Sequence, residues 1–196
     1  MTSDPDPAGA VRVVFADANV LYSRVLRDYL LYAADEEIIA ISWSASVLAE
    51  MVEHLADNVA GFTAASGVRL IEAMNRAFPY AQVDVTPAHT GRVAGYALPD
   101  EDDRHVLAGA VVGAATVLCT SNVKDFPTEV TAALDIEVMT PDALLAALIA
   151  EFPTQMRRVH ATSVKWLRGA TDASTIAALR RAGAPSAATL MAEILQ

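Results

Sequence analysis

Five short runs rich in β-branched residues alternate with longer helical stretches, and this alternation limits the fold more than any other feature. The runs are 11–16, 38–41, 82–85, 116–120 and 136–139. Helical periodicity predicts helices over 20–34, 45–57, 62–77, 88–96, 103–114 and 128–134, and another from Pro141 to about Phe152. Strands joined through helices build a parallel sheet with helices on both faces, an α/β fold. Beyond Pro153 strand signals stop. Three helices are expected there, at 154–168, 172–182 and 186–195, parted by Gly169 with Thr171 and by Gly183 with Pro185. The reading is a flexible lead over 1–10, an α/β domain over 11–151 and a helical extension over 152–196.

Two helix starts carry chemical signatures. Ser42 or Ser44 is placed to cap the helix at 45–57, and Thr140-Pro141-Asp142 combines a Thr cap, a Pro at the first position and an early acid. At 54% hydrophobic residues the chain can bury a sizeable core. The single cysteine, Cys119, excludes an internal disulfide framework and fits a reducing compartment. The first seven residues have neither a cationic start nor an apolar run, and no stretch suits a membrane span. A cytoplasmic protein is expected. The formal charge of −10 argues against a nonspecific nucleic-acid coat. It is unevenly spread: residues 1–151 carry net −14 and residues 152–196 net +4. Such a split suggests different jobs for the two segments.

The densest chemistry lies in Leu98-Pro-Asp-Glu-Asp-Asp103-Arg-His, where four acids crowd a turn just before an apolar helix. At about 100° per residue, Asp103 shares a face with Val106, Leu107, Ala110, Val111 and Ala114, so it is expected to face the core from the helix's first turn. Asp100, Glu101 and Asp102 read as solvated or as helix-dipole partners. A carboxylate turned inward needs compensation, and a divalent cation supplies it. Three further acids suit the same ion. Asp17 ends the first strand, Asp125 lies in the loop after the fourth, and Glu50 flanks a helix whose buried face is Leu48, Met51, Val52 and Leu55. In parallel sheets ligands gather at the carboxyl ends of the strands, so these four can meet on one edge. Carboxylates without His or Cys suit the hard cations Mg²⁺ and Mn²⁺. Such a site activates water and stabilises an in-line phosphoryl displacement.

Four motifs now stand in order: Asp17-Ala-Asn19-Val-Leu, Val47-Leu-Ala-Glu50, Asp103-Arg-His-Val-Leu-Ala and Thr120-Ser-Asn-Val-Lys-Asp125-Phe. Together they resemble the PIN domain over about residues 11–150, with the nearest likeness to VapC-type toxins of bacterial toxin–antitoxin pairs. The resemblance implies a PIN-like parallel sheet, with Asp17, Glu50, Asp103 and Asp125 as catalytic, metal-binding acids. Asn19 and Ser121 match positions that are often polar in the family, and they stand with Arg104 and Lys124 as candidate substrate contacts. It also implies Mg²⁺- or Mn²⁺-dependent cleavage of RNA, a homodimer, and inhibition by a cognate antitoxin protein.

Other residues carry smaller expectations. Arg104 and Lys124 each adjoin a proposed ligand and could hold a phosphate, or pair with nearby acids. Arg24 and Arg27 read as solvated, His105 as a packing or hydrogen-bonding group, Cys119 as a buried strand residue, and Trp43 and Trp166 as packing anchors. In the tail, Arg158, Lys165 and Arg168 fall near one side of a helix and suggest an exposed basic strip beside partial packing. Two rival classes remain. A receiver-type phosphoacceptor would want paired acids after the first strand and an acceptor Asp ending the third, and this chain has neither. A catalytically silent PIN-fold module that binds RNA or a protein partner is the alternative that metal-dependent cleavage would separate from an enzyme.

Overall fold

A computed structural model describes residues 11–196. The flexible lead expected over 1–10 lies outside the described residues.

The sheet has five strands, all parallel, in the order β3-β2-β1-β4-β5. They are β1 (Arg12–Ala16), β2 (Ile39–Ser44), β3 (Gln82–Val83), β4 (Val117–Cys119) and β5 (Glu137–Met139). Central β1 runs Val14 beside Ile41 of β2 and Val117 of β4. Val14, Phe15 and Ala16 are wholly buried, as a central parallel strand covered on both faces requires. The chain first builds outward from β1 to β2 and β3, then crosses back to lay β4 on β1's other side and β5 beyond it. The direction therefore reverses between β1 and β4. At such a switch point the connections leave in opposite directions and open a crevice at the carboxyl ends.

The expected helix at 20–34 is two helices, α1 (Ala18–Leu21) and α2 (Arg24–Asp35). Asp17 caps the first, and Ser23, in extended conformation, redirects the chain before the second. The break frees carbonyls at the end of α1. Arg27 resolves one of them: its guanidinium is buried and donates to the Leu21 carbonyl at 2.6 Å. Arg27 is thus an internal strut and not part of a solvated face. β2 runs three residues past the expected strand, and Ser44, not Ser42, caps α3 (Ala45–Asn58) by accepting from Val47 N–H. Then follow α4 (Ala64–Ala77) and α5 (Pro87–Arg92). Trp43 is the expected anchor. It is fully buried, its indole N–H donates to Asn75 at 3.0 Å, and its ring meets Phe78 edge-on.

The acidic turn also differs from expectation. Glu101–Asp103 form a single 3₁₀ turn, and α6 (Arg104–Val112) begins after it. Asp103 therefore precedes the helix as its N-cap instead of lying in its first turn, and it is half-buried. All of Val106–Ala110 is buried, so this helix has no single apolar stripe. Gly109 shows why the fit is tight: a Cβ there would overlap the far edge of the Phe15 ring on β1. The helix closes through Ala115 N–H to the Ala110 carbonyl, with Ala114 at φ +49° and exposed. We expect Gly109→Ala to destabilise the fold by about 1–3 kcal/mol, since an enclosed ring has nowhere to retreat. Its urea midpoint should fall clearly below wild type, and an unchanged midpoint would refute close packing here.

After β4 come α7 (Thr128–Ala132), β5 and α8 (Pro141–Glu151), the last capped by Thr140 as read from sequence. The C-terminal segment forms α9 (Pro153–Trp166), α10 (Asp172–Arg181) and α11 (Pro185–Ile194). Gly169 and Gly183 make its turns at φ +77° and +82°, where a side chain would strain the backbone. Helix α9 lies on α2, and α11 on α8. Met156, Val159, Leu179, Ala187 and Met191 join the same hydrophobic core as the sheet. The expected basic strip is partly committed within the chain: Arg158 pairs with Glu36 through Nε at 2.8 Å and also through Nη2. Trp166 is no packing anchor, being 66% exposed with the Lys165 ammonium over its ring. No helix of the described residues is long and apolar enough to cross a membrane.

A buried relay ties the tail to α2. The Tyr29 hydroxyl donates to His160 Nδ1 at 2.5 Å, which leaves Nε2–H to donate to Asp172 at 3.2 Å. Burial holds His160 below its ordinary pKa despite Asp172, so the folded protein favours the neutral ring. An unfolded His takes up its proton near 6.5, so as pH falls below that the unfolded state binds more protons and stability drops. Asp103 acts with the opposite sign, because its raised pKa gives a stabilisation that is lost as pH rises through about 6. We therefore expect wild type to lose more stability than His160→Gln between pH 7.5 and 5.5. Parallel losses in urea melts would exclude His160 as the source.

Candidate active site

At the β1–β4 crevice Asp17 follows the last residue of β1, and Thr120 follows the last residue of β4. The two segments are stitched by Asp17 N–H donating to the Cys119 carbonyl at 3.0 Å. Asp17 is 4% exposed, and all of its nearest donors point at its carboxylate. Ala18 N–H donates to Oδ1 at 2.6 Å; Asn19 Nδ2 and the Thr120 hydroxyl donate to Oδ2 at 2.6 and 2.7 Å. Burial nevertheless outweighs these bonds, and the Asp17 carboxyl is pushed above its usual range, with Glu50 adding to the shift. A carboxylate so fixed and so starved of water is a strong demand for a cation.

Asn19 and Thr120 hold the floor of the site. Asn19 Oδ1 accepts from Ser121 N–H at 2.9 Å, and Thr120 Oγ1 accepts from Asn122 N–H at 3.0 Å. The expected polar residue at 121 contributes its backbone, while its side chain is exposed. The hydroxyl that orients Asp17 belongs to Thr120, which sequence reading passes over in favour of its neighbour. Its signal is its place, the first residue past a strand adjacent to the one ending in Asp17.

Asp103 is half-buried at the start of α6. Burial, then the charges of Asp17, Asp125, Asp100 and Glu50, push its carboxyl up to about 6. These neighbours locate the cluster: all four acids singled out from sequence bear on one region. Asp125 closes a 3₁₀ turn after Asn122 and is half-exposed. Glu50, on α3, is turned toward two histidines: Nε2 of His105 lies 3.6 Å and that of His54 3.9 Å from its oxygens. His105 Nδ1 meets the Asp102 carbonyl at 2.7 Å. Glu50 holds His105 above its ordinary pKa, and His105 in turn holds the Glu50 carboxyl below its own.

The two basic neighbours part company. Arg104 is tied to Glu101 through Nε and Nη2 and to the Val93 and Tyr96 carbonyls through Nη1. Its guanidinium straps the acidic turn to the end of α5, and no nitrogen of it bonds any of the four site acids. Lys124 is exposed on the turn that carries Asp125.

The match to known families decides the assignment: residues 12–124 fit the PIN domain. The chain belongs to the PIN-domain family. Neither a curated protein nor a solved structure matches it. PIN domains are typically nucleases and generally use divalent metal ions. The match ends just before Asp125, so that acid stands on the geometry of its turn. Among the described residues of this PIN domain, no three acid, His or Cys groups are already drawn into an ion cage. The donor set fits an ion all the same. It is made of carboxylate oxygens, one of them rigidly held at Asp17, with a mutual repulsion at Asp103 that a cation would relieve.

Proposed function

We propose that the chain is a Mg²⁺- or Mn²⁺-dependent endoribonuclease of the VapC type, the toxin of a toxin–antitoxin pair. What supports the nuclease reading is that Asp17 stands at the crevice between β1 and β4 and that the charges of Asp17, Asp125 and Glu50 all act on Asp103. Asp17, Asp103 and Asp125 are the groups to hold the ion, with Glu50 joining them when it leaves His105. A bound divalent ion would supply charge for the scissile phosphate and lower the pKa of water. The protein's own part is to fix Asp17 through Ala18, Asn19 and Thr120, so that one ligand is in place before substrate arrives. The RNA-cleaving, toxin and homodimer readings come from the likeness of the four motifs, as does the cognate antitoxin that would cover the crevice.

Purified protein incubated with total RNA should cut internally when Mg²⁺ or Mn²⁺ is added and stop in EDTA. The Asp103→Asn variant should be silent under every condition. Cleavage that survives EDTA or this substitution would overturn the reading, as would cutting of DNA in place of RNA. Expression in a bacterial host should arrest growth, and coexpression of a neighbouring-gene partner should relieve it. Growth unaffected by an RNA-cleaving protein would leave a nuclease that is not a toxin.

A further inference from the structure

A cleft of about 540 Å³ opens between α2 and the C-terminal helices α9 and α10. Asn19 and Ser121 form part of its wall, and these are the residues that bond to each other behind Asp17. The cleft thus shares Asn19 and Ser121 with the surroundings of Asp17, although none of the four acids lines it. Its volume lies within the range of sites that enclose small organic molecules.

Ser163 of α9 and Thr175 of α10 also line the cleft. They are 5% and 3% exposed, and neither hydroxyl has a hydrogen-bond partner among the described residues. A helical hydroxyl usually bonds back one turn, as Thr189 does to the Pro185 carbonyl in α11. A buried hydroxyl left without a partner forfeits its hydration with nothing in return. Two of them beside one cleft are hard to account for by packing, but they suit an occupant with a hydrogen-bonding edge. Val25, Leu26, Leu167 and Ala178 make the surrounding surface apolar. Two cations and one acid stand among its lining residues: Arg181, Asp28, and Arg24, whose side chain is 60% exposed and lies 3.5 Å from the Asp28 carboxylate.

An apolar slot, two hydroxyls for a polar edge and cations for a phosphate are the complement of a nucleotide. We propose that this cleft is a nucleobase-binding subsite, which holds one unstacked base of single-stranded RNA beside the scissile phosphate and so sets the sequence preference of cleavage. The proposal rests on the RNA-cleaving reading above. Single-stranded RNA is recognised in this manner, with bases splayed into pockets and hydrogen-bonded at their edges. Exposed Trp166, next to the cleft residue Leu167 and under the Lys165 ammonium, offers a stacking face for a neighbouring base. The path from Asp17 through Asn19 favours the substrate over a protein partner as occupant.

Binding can be read without any cleavage. The full chain, free of divalent ions, is titrated with AMP, GMP, CMP and UMP while backbone amide resonances are followed. One nucleotide should bind preferentially, with Kd of about 1 mM or tighter, and should shift resonances of 163, 175 and 121 together. In the double variant Ser163→Ala, Thr175→Val the preference should shrink about tenfold. Its melting temperature should hold or rise, because two unpaired hydroxyls are gone. If no mononucleotide binds, or the double variant binds all four as wild type does, the subsite proposal is wrong. Cleft resonances that move only with a coexpressed protein partner would overturn it in favour of protein docking. Should RNA be cleaved with identical sequence preference by wild type and double variant, the nuclease reading stands and the subsite falls. Should a mononucleotide bind here in a protein that cuts no RNA, the cleft is a nucleotide site, while its part in cleavage falls with the nuclease reading.

Discussion

Asp17→Asn is expected to reduce RNA cleavage by about a thousandfold or more and, in the same protein, to raise the melting temperature in EDTA. The first effect follows from position. Asp17 is the one acid of the four that is already fixed, by Ala18, Asn19 and Thr120, and groups that act as a unit fail together when one is lost. The second follows from the raised carboxyl: desolvation outweighs three hydrogen bonds, so the ionised form strains the metal-free fold at neutral pH. An opposing effect comes from the amide. Its NH₂ must face either Ala18 N–H or both Asn19 Nδ2 and the Thr120 hydroxyl, donors that now point at carboxylate oxygens, and only the hydroxyl can rotate away. Relief of the buried charge is the stronger of the two effects, so we expect a gain on the order of 1 kcal/mol, or roughly 2–4 °C in a chain of this size. Added Mg²⁺ should then raise the melting temperature of wild type far more than that of the variant, since only an intact site gains binding energy on folding. Equal Mg²⁺ responses, or cleavage within tenfold of wild type, would remove Asp17 from the metal site.

The elements are legible where local chemistry acts alone. Thr140-Pro141-Asp142 opens α8 as read, and the β-branched runs at 12–16 and 39–41 lie in strands, because caps and apolar periodicity are properties of neighbouring residues. The departures share a tertiary cause. The break at Ser23 depends on Arg27 reaching back to the Leu21 carbonyl, and no pattern within 20–34 shows that. Asp103 leaves the helix wheel because the preceding acids form a 3₁₀ turn, capped by Asp100 accepting from Asp102 N–H. The site acids are visible because carboxylates at strand ends are conspicuous. Thr120 is not, since its role exists only once β1 and β4 are side by side. Arg104 departs from expectation for the converse reason: adjacency to Asp103 in sequence says nothing about the carbonyls of Val93 and Tyr96 that draw its guanidinium away.

Ending the chain after Glu151 is expected to abolish cooperative folding, although residues 12–124 alone fit the family pattern. The extension reads from sequence as an addition, with its own charge and no strands. In the structure it completes the core. Tyr29 and Leu30 of α2 and Leu144, Leu145 and Leu148 of α8 are fully buried, and the elements packed on those two helices include α9, α10 and α11. Removing the three helices would uncover parts of both apolar faces at once. It would also strip away Met156, Val159, Leu179, Ala187 and Met191, each wholly buried. At about 1.5–3 kcal/mol for each large side chain returned to water, the loss reaches the whole stability of an ordinary domain. The Tyr29 hydroxyl would lose His160 as well, and Glu36 its Arg158. A milder form of the same test is Leu179→Ala, which should cost about 2–5 kcal/mol through the cavity it leaves. Far-ultraviolet circular dichroism against urea separates the possibilities. A truncated chain that melts cooperatively within a few degrees of wild type would show the α/β domain to be independent and the tail an accessory. A broad, denaturant-insensitive signal from the truncated chain, with a sharp but lowered midpoint for Leu179→Ala, is the expected pair of results.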